Sequence, residues 1–355
     1  MGSAGQRRLK VVLIKPSHYD DDGYVIQWWR SFIPSNSLAS VYSLVAQCAA
    51  DQVLGADIAI DVEAYDEGNT VIDVKRAIRR IPQAGTGFVG LVGVQSNQFP
   101  RALDLARQLR AAGIPVVIGG FHISGCLAML DDMQPHVQAA LDMGCILFAG
   151  EAEGPMAGVI RDIAAGTPRP IYNYLDDLPD LANATQPLLP LDVITRVFGH
   201  YTSFDAGRGC PFQCSFCTII NVQGRKSRRR TGDDIEQIVR ANAKQGITRF
   251  FVTGDNFARN RDWEPILDRL IALRQEGMKI KLILPGRVAT TSSSGWRTQS
   301  RGADRGEEAA EPYLGISRDA AGVEARAGDD LCGLHPGLSE RYAGIDHPRH
   351  RDDPT

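Results

Sequence analysis

The first 165 residues alternate between apolar runs too short for helices and longer stretches with helical periodicity, which leaves few folds open. Lys10–Lys15 is a β-branched run stopped by Pro16 and reads as a buried strand. Ala56–Val62, Phe88–Val94, Ile114–Ile118 and Cys145–Phe148 read the same way. Between them Leu38, Val41, Tyr42, Val45 and Ala49 recur at helical spacing, as do Val71, Ile72, Lys75, Ile78 and Arg79. A third helix is expected from Arg101 to Ala112, closed by Gly113, and a last one over Pro155–Ala165. Strands alternating with helices build a parallel sheet covered on both faces, so residues 1–165 are expected to form a doubly wound, Rossmann-like α/β domain.

Such sheets take ligands in the crevice beyond their strand C-termini. The chain places Gln95-Ser96-Asn97, Gly119-Gly120-Phe121-His122 and Gly150-Glu151-Ala152-Glu153 there. Paired glycines let a backbone approach a ligand closely. Residues 166–199, rich in Pro, Asp, Asn and Leu, read as an extended linker. A second strand–helix series follows over 200–284. Its strands are Tyr201–Ala206, Thr248–Thr253 and Lys279–Leu284, and Thr231-x-x-Asp234 opens a helix as a capping box. A helix with Trp263, Ile266, Leu267, Leu270 and Ile271 on one stripe stops at Gly277; that stripe is core. From residue 285 to 355 no period of 3.6 or 2.0 is sustained, and an irregular stretch is expected, either a disordered tail or one translated out of frame.

Between the first two strands of this second series lies Gly209-Cys210-Pro211-Phe212-Gln213-Cys214-Ser215-Phe216-Cys217. Three thiolates on one loop repel unless a soft centre binds them, and thiolate is the ligand that iron–sulfur clusters and zinc select. The spacing is C-x3-C-x2-C with no fourth cysteine nearby. An iron–sulfur cluster with one open iron fits this, as does a zinc knuckle with a remote fourth ligand.

Cys210, Cys214 and Cys217 with Phe216 resemble the cluster loop of the radical S-adenosylmethionine (SAM) superfamily. The order of the three upstream loops resembles the cobalamin (B12)-binding domain that precedes many radical SAM domains. The resemblance implies a [4Fe–4S] cluster on Cys210, Cys214 and Cys217, SAM at its open iron, and a 5′-deoxyadenosyl radical from reductive cleavage. It puts Phe216 near the adenine and Gly254 and Asp255 at the SAM amino group. Ser96, Gly119, Gly120, His122, Gly150 and Glu151 fall at the cobalamin. The residue two before His122 is Gly120, so the Asp-x-His-x-x-Gly motif of cobalt-ligating histidines is absent. His122 is therefore expected at the corrin or bonded to loop backbone, not on cobalt. The catalytic residue is not assigned.

The function so implied is C-methylation, or a related rearrangement, of a small-molecule substrate by a B12-dependent radical SAM enzyme, with an electron donor such as flavodoxin or ferredoxin. Residues 200–284 supply the first three β/α units of a partial barrel, as though the chain were truncated or frameshifted after about residue 284. A non-catalytic fragment that binds cobalamin or a cluster is the rival reading. An RNA-modifying radical SAM enzyme is the other, resting on Arg225, Lys226, Arg228, Arg229 and Arg230. With a net charge of −3, that run reads instead as a solvated loop, and a nucleic-acid partner is not expected. No apolar run of about 20 residues and no signal-peptide pattern stand in the sequence, so no membrane span is expected. Seven cysteines in such a chain fit a reducing cytoplasm. Cys48 and Cys145 read as core residues, and Cys126 has no assignment.

Overall fold

In a computed structural model that describes residues 7–212, 214, 217–253, 257, 262–285, 313–319 and 322–327, the chain opens on a strand buried on both faces. This strand, β1 (Arg7–Lys15), turns Leu9, Val11 and Leu13 to one apolar layer and Val12 and Ile14 to the other. Period-2 alternation with both sets apolar is what a central parallel strand requires. There follow α1 (Asn36–Ala50), β2 (Ile58–Asp66), α2 (Val74–Gln83), β3 (Gly85–Leu91), α3 (Phe99–Ala111) and β4 (Val116–Gly119). Next come α4 (Phe121–Met129), α5 (Pro135–Asp142), β5 (Ile146–Gly150), α6 (Met156–Ala164) and β6 (Ile171–Tyr174).

The six strands pair in parallel in the order β2-β1-β3-β4-β5-β6. Helices α2, α3, α4 and α5 cover one face, while α1, α6 and α7 (Leu191–Ile194) cover the other. The doubly wound expectation therefore holds, with three differences. Helices α4 and α5 were not expected. The second helix starts at Val74 and buries Ala77 and Ile81, and Val71 is exposed ahead of it. A sixth strand, β6, lies in the stretch expected to be linker and extends the sheet past β5.

The second unit has its own sheet. Its elements are β7 (Thr202–Asp205), β8 (Gly207–Arg208), α8 (Ile219–Val222), β9 (Arg228–Arg229), α9 (Gly232–Ala243), β10 (Arg249–Thr253), α10 (Trp263–Gln275) and β11 (Lys281–Pro285). Strands β7, β10 and β11 are parallel, and Phe204, Phe250 and Leu282 pack on Ile235, Ile238, Ile266 and Leu270 from α9 and α10. The capping box is present: the Thr231 hydroxyl accepts from the Asp234 amide at 3.2 Å and the Asp234 carboxylate from the Thr231 amide at 2.7 Å. Within the stretch expected to be irregular, β12 (Tyr313–Asp319) and β13 (Gly322–Ala327) continue this sheet as an antiparallel pair. The short strands β8 and β9 form a separate antiparallel ribbon beside the cysteine loop.

Candidate functional site

Strand order reverses at β1, where β2 lies on one side and β3 on the other, and the crevice beyond such a reversal is where doubly wound sheets receive ligands. A cavity of about 490 Å³ opens there. Its floor is the C-terminal ends of β1, β3, β4 and β5, through Lys15, Gly93, Gly119 and Gly150, and its opposite wall comes from Asp205, Arg208 and Thr253 at the strand ends of the second unit. Helix α8, directly after the cysteine loop, contributes Ile219 and Val222.

The glycines are required by the backbone. Gly120 has φ of 142°, and a Cβ there would stand 2.2 Å from the Val94 nitrogen. That crossing is fixed by Val94 N–H donating to the Gly119 carbonyl at 3.0 Å and His122 N–H to the Val94 carbonyl at 3.0 Å. Gly150 has φ of 96°, a Cβ would lie 2.5 Å from the Tyr174 carbonyl, and its amide donates to the Ser124 hydroxyl at 3.1 Å. Across the cavity, α1 begins with Asn36 and carries Ser40 one turn on; both line the space. Asn36 Oδ1 and Ser40 Oγ are buried without a hydrogen-bond partner among the described residues. Buried polar atoms are rarely left so, which marks this wall as complementary to a polar ligand.

The cysteine loop is anchored at its base. Cys210 N–H donates to the Gly224 carbonyl at 3.1 Å. Gly209, in the left-handed region at φ 77°, lies so close to the Lys226 carbonyl that a Cβ would stand 2.2 Å from it. Cys217 N–H donates to the Cys214 carbonyl at 3.2 Å, making the last two cysteines one tight turn. Cys210 is buried, Cys217 half-buried and Cys214 exposed, so the set runs from the protein interior to an accessible thiol.

Charge ties this loop to the first sheet. Arg208 Nη1 lies 2.8 Å from Glu151 and 2.6 Å from Glu153, and its Nε donates to Asp205 at 2.9 Å. Arg228 also pairs with Glu151, and Arg230, buried, lies 3.6 Å from Asp205. Asn36 Nδ2 donates to Asp205 at 3.2 Å. Burial alone would raise the Asp205 pKa, but the Arg208 and Arg230 charges and the Asn36 and Arg208 hydrogen bonds hold it well below the usual carboxylate range. Burial works against the Arg208 charge, and its three carboxylates overcome that and push its pKa up.

Of the residues expected at ligands, Gly119, Gly120, Gly150 and Glu151 line the cavity. Both oxygens of Glu151 are engaged by arginines. Among the described residues that line the cavity, Ser96 and His122 are not found; instead His122 Nδ1 lies 3.1 Å from Ser96 Oγ. Burial, with the neighbouring His136 charge, pushes the His122 pKa down to about 4. Phe216, Gly254 and Asp255 lie outside the described residues.

The basic run is not a solvated loop. Arg228 and Arg230 are committed to buried carboxylates, Arg229 pairs with Asp262 at 3.1 Å, and only Arg225 and Lys226 are exposed. Sequence reasoning missed Asn36, Ser40 and Arg208. The Ser35-Asn36-Ser37 run at the start of α1 was the available signal for Asn36, with Ser40 one helical turn further on.

Comparisons with known proteins bear on the family and the fold. The bacteriochlorophyllide d C-8(2)-methyltransferase of Chlorobaculum tepidum is 29% identical over 201 residues, covering 51% of this chain and 41% of that protein. The hopanoid C-2 methylase of Rhodopseudomonas palustris is 25% identical over 179 residues, covering 49% of this chain and 31% of its own length. The chain thus spans less than half the length of either relative. The fold is similar to that of the radical S-adenosylmethionine methyltransferase TsrM from Kitasatospora setae, solved with tryptophan and a SAM analogue. The TM-score is 0.52 at 15% identity, over 75% of this chain and 51% of that one. A family model described as the Radical SAM superfamily matches residues 205–319, from the end of β7 through β12 and so past residue 284. With the three-cysteine loop seated on the first strand of that match, the chain carries a domain of the Radical SAM superfamily.

Proposed function

We propose that this chain is a radical SAM methyltransferase that holds a [4Fe–4S] cluster on Cys210, Cys214 and Cys217 and a corrinoid in the cavity between its two sheets. The observation that carries the reading is the placement of the cysteine loop: its own helix, α8, forms part of the wall of a cavity at the strand reversal of a doubly wound sheet. The donor set fits the cluster, since three cysteines on a tightly anchored loop leave one metal position open. The cavity fits a polar, planar partner, since its floor is glycine backbone and its far wall carries the unpartnered Asn36 Oδ1 and Ser40 Oγ.

When bound, these groups supply one-electron cleavage of SAM, hydrogen abstraction from an unreactive carbon and a transferable methyl group. The chain's own residues position them. Arg208, held by Glu151, Glu153 and Asp205, fixes the start of the cysteine loop against the first sheet. Leu44, Val45, Phe88 and Phe148 line the apolar part of the cavity and exclude water from it. Asn36 and Ser40 offer hydrogen bonds to polar edges of whatever enters. The methyltransferase names of the relatives support methyl transfer to carbon of a small molecule. The RNA-modifying reading loses its support, because Arg228, Arg229 and Arg230 are held in ion pairs inside the chain.

The test is anaerobic reconstitution with iron and sulfide, followed by SAM, dithionite and hydroxocobalamin. Expected are absorbance that bleaches on reduction, release of 5′-deoxyadenosine or S-adenosylhomocysteine, and retention of the corrinoid on gel filtration. A reconstituted chain that binds iron but neither cleaves SAM nor keeps cobalamin would defeat the proposal.

A further inference from the structure

Where α4 meets the start of α5, three side chains converge that the proposed chemistry does not use. His122 and Cys126 are four apart on α4 and so share one face. His136, in the first turn of α5, meets them: its Nε2 lies 2.9 Å from Nε2 of His122, while Cys126 Sγ lies 3.9 Å from that same His122 nitrogen. All three potential ligand atoms fall within 4.8 Å of one another. Phe99 backs the group, with its ring centroid 4.3 Å from that of His122 and 5.4 Å from that of His136.

We propose that His122, Cys126 and His136 form a three-ligand site for a zinc-class divalent cation, separate from the cysteine loop. Zinc bonds nitrogen at about 2.0–2.1 Å and sulfur at about 2.3 Å, so a tetrahedral site has N–N edges of about 3.3 Å and S–N edges of about 3.6 Å. The observed 2.9 and 3.9 Å separations sit on either side of those values, within reach of small side-chain rotations. Two imidazoles and one thiolate are the donors that zinc, cobalt(II) and their neighbours select over magnesium or calcium. The outer shell is present as well. Ser96 Oγ lies 3.1 Å from Nδ1 of His122, a contact that, with Nδ1 carrying the proton, would turn the Nε2 lone pair toward the other two ligands. His136 is exposed, which leaves the fourth position to water or an external ligand. A cation here clips α5 to α4 and, through Ser96, to the loop that follows β3.

The test uses the full chain with Cys210→Ser, Cys214→Ser and Cys217→Ser, stripped with a chelator and titrated with cobalt(II). Expected are saturation at one equivalent, the intense visible bands of tetrahedral cobalt, one thiolate-to-cobalt charge-transfer band, and displacement by zinc. Cys126→Ser removes the charge-transfer band, and His136→Ala, at an exposed position, weakens binding by roughly 100-fold. Ser96→Ala keeps all three ligands and weakens it by about 10-fold. Circular dichroism of each variant separates lost ligation from lost folding. Absence of saturable binding, an octahedral cobalt spectrum, or an unchanged charge-transfer band in folded Cys126→Ser each overturns the site.

Discussion

Arg208 is bonded to Glu151 at 2.8 Å across the boundary between the two sheets, although 57 residues separate them in the chain. The guanidinium stands two residues ahead of Cys210, so the cysteine loop is registered against the strand end of β5 by charge rather than by covalent proximity. Removing a buried ion-pair partner leaves its opposite charges uncompensated. Arg208→Met is expected to lower the unfolding free energy from urea melts by about 3–5 kcal/mol, with part of it recovered when Glu153→Leu, at the carboxylate paired with Arg208, is added. An unchanged midpoint would show that the network contributes nothing.

Acid should undo the same contact. The Asp205 pKa is depressed in the folded chain, so its contribution is fully present above the ordinary carboxylate value of about 3.9 and is lost as pH falls through the lower folded value. Below about pH 4 the thermal midpoint is therefore expected to drop, and Asp205→Asn should flatten that part of the profile. A profile of the same slope in the variant would assign the acid sensitivity elsewhere.

Gly120 is the tightest point of the cavity floor. Gly120→Ala must move either its own backbone or Val94, because the added carbon would stand 2.2 Å from a backbone nitrogen. The strained backbone alone costs about 1–3 kcal/mol, readable in denaturant melts, and corrinoid retention should fall with it. Gly154→Ala, where nothing lies within 4 Å, is the matched control.

Each loop cysteine should be needed for iron. Cys214→Ser, at the exposed thiol, is expected to lower iron and sulfide content after reconstitution by about tenfold or more, with far-ultraviolet circular dichroism unchanged. Full iron loading in that variant would remove Cys214 from the ligand set.

Much of this was legible in the sequence because it was periodic or local. The parallel strands and the α9 capping box follow from spacing within a dozen residues, and the cysteine loop announces itself in eight. Helices α4 and α5 were not legible: α4 buries only Ile123 and Ser124 and packs between β5 and α8, so it carries no single apolar stripe. The basic run was misread because a sequence displays charges without their partners. Arg228 finds Glu151 at a separation of 77 residues, and Arg230 finds Asp205 across a strand. Cys126 gave no signal because His136, ten residues on, belongs to another helix. The antiparallel strands β12 and β13 interrupt the parallel series that β7, β10 and β11 led one to extrapolate.

One buried charge has a role that hydrophobicity cannot fill. Both faces of β1 are apolar, so sliding it two residues along β2 would return every aliphatic side chain to an apolar layer. Lys10, 3% exposed, opposes the slide: its ammonium lies 2.7 Å from both Asp61 and Glu63, and a two-residue shift of about 6.6 Å in either direction would break its pairing with at least one of them. The lysine thus acts as a pin. It sets where β1 ends, and with it where Lys15 opens into the cavity.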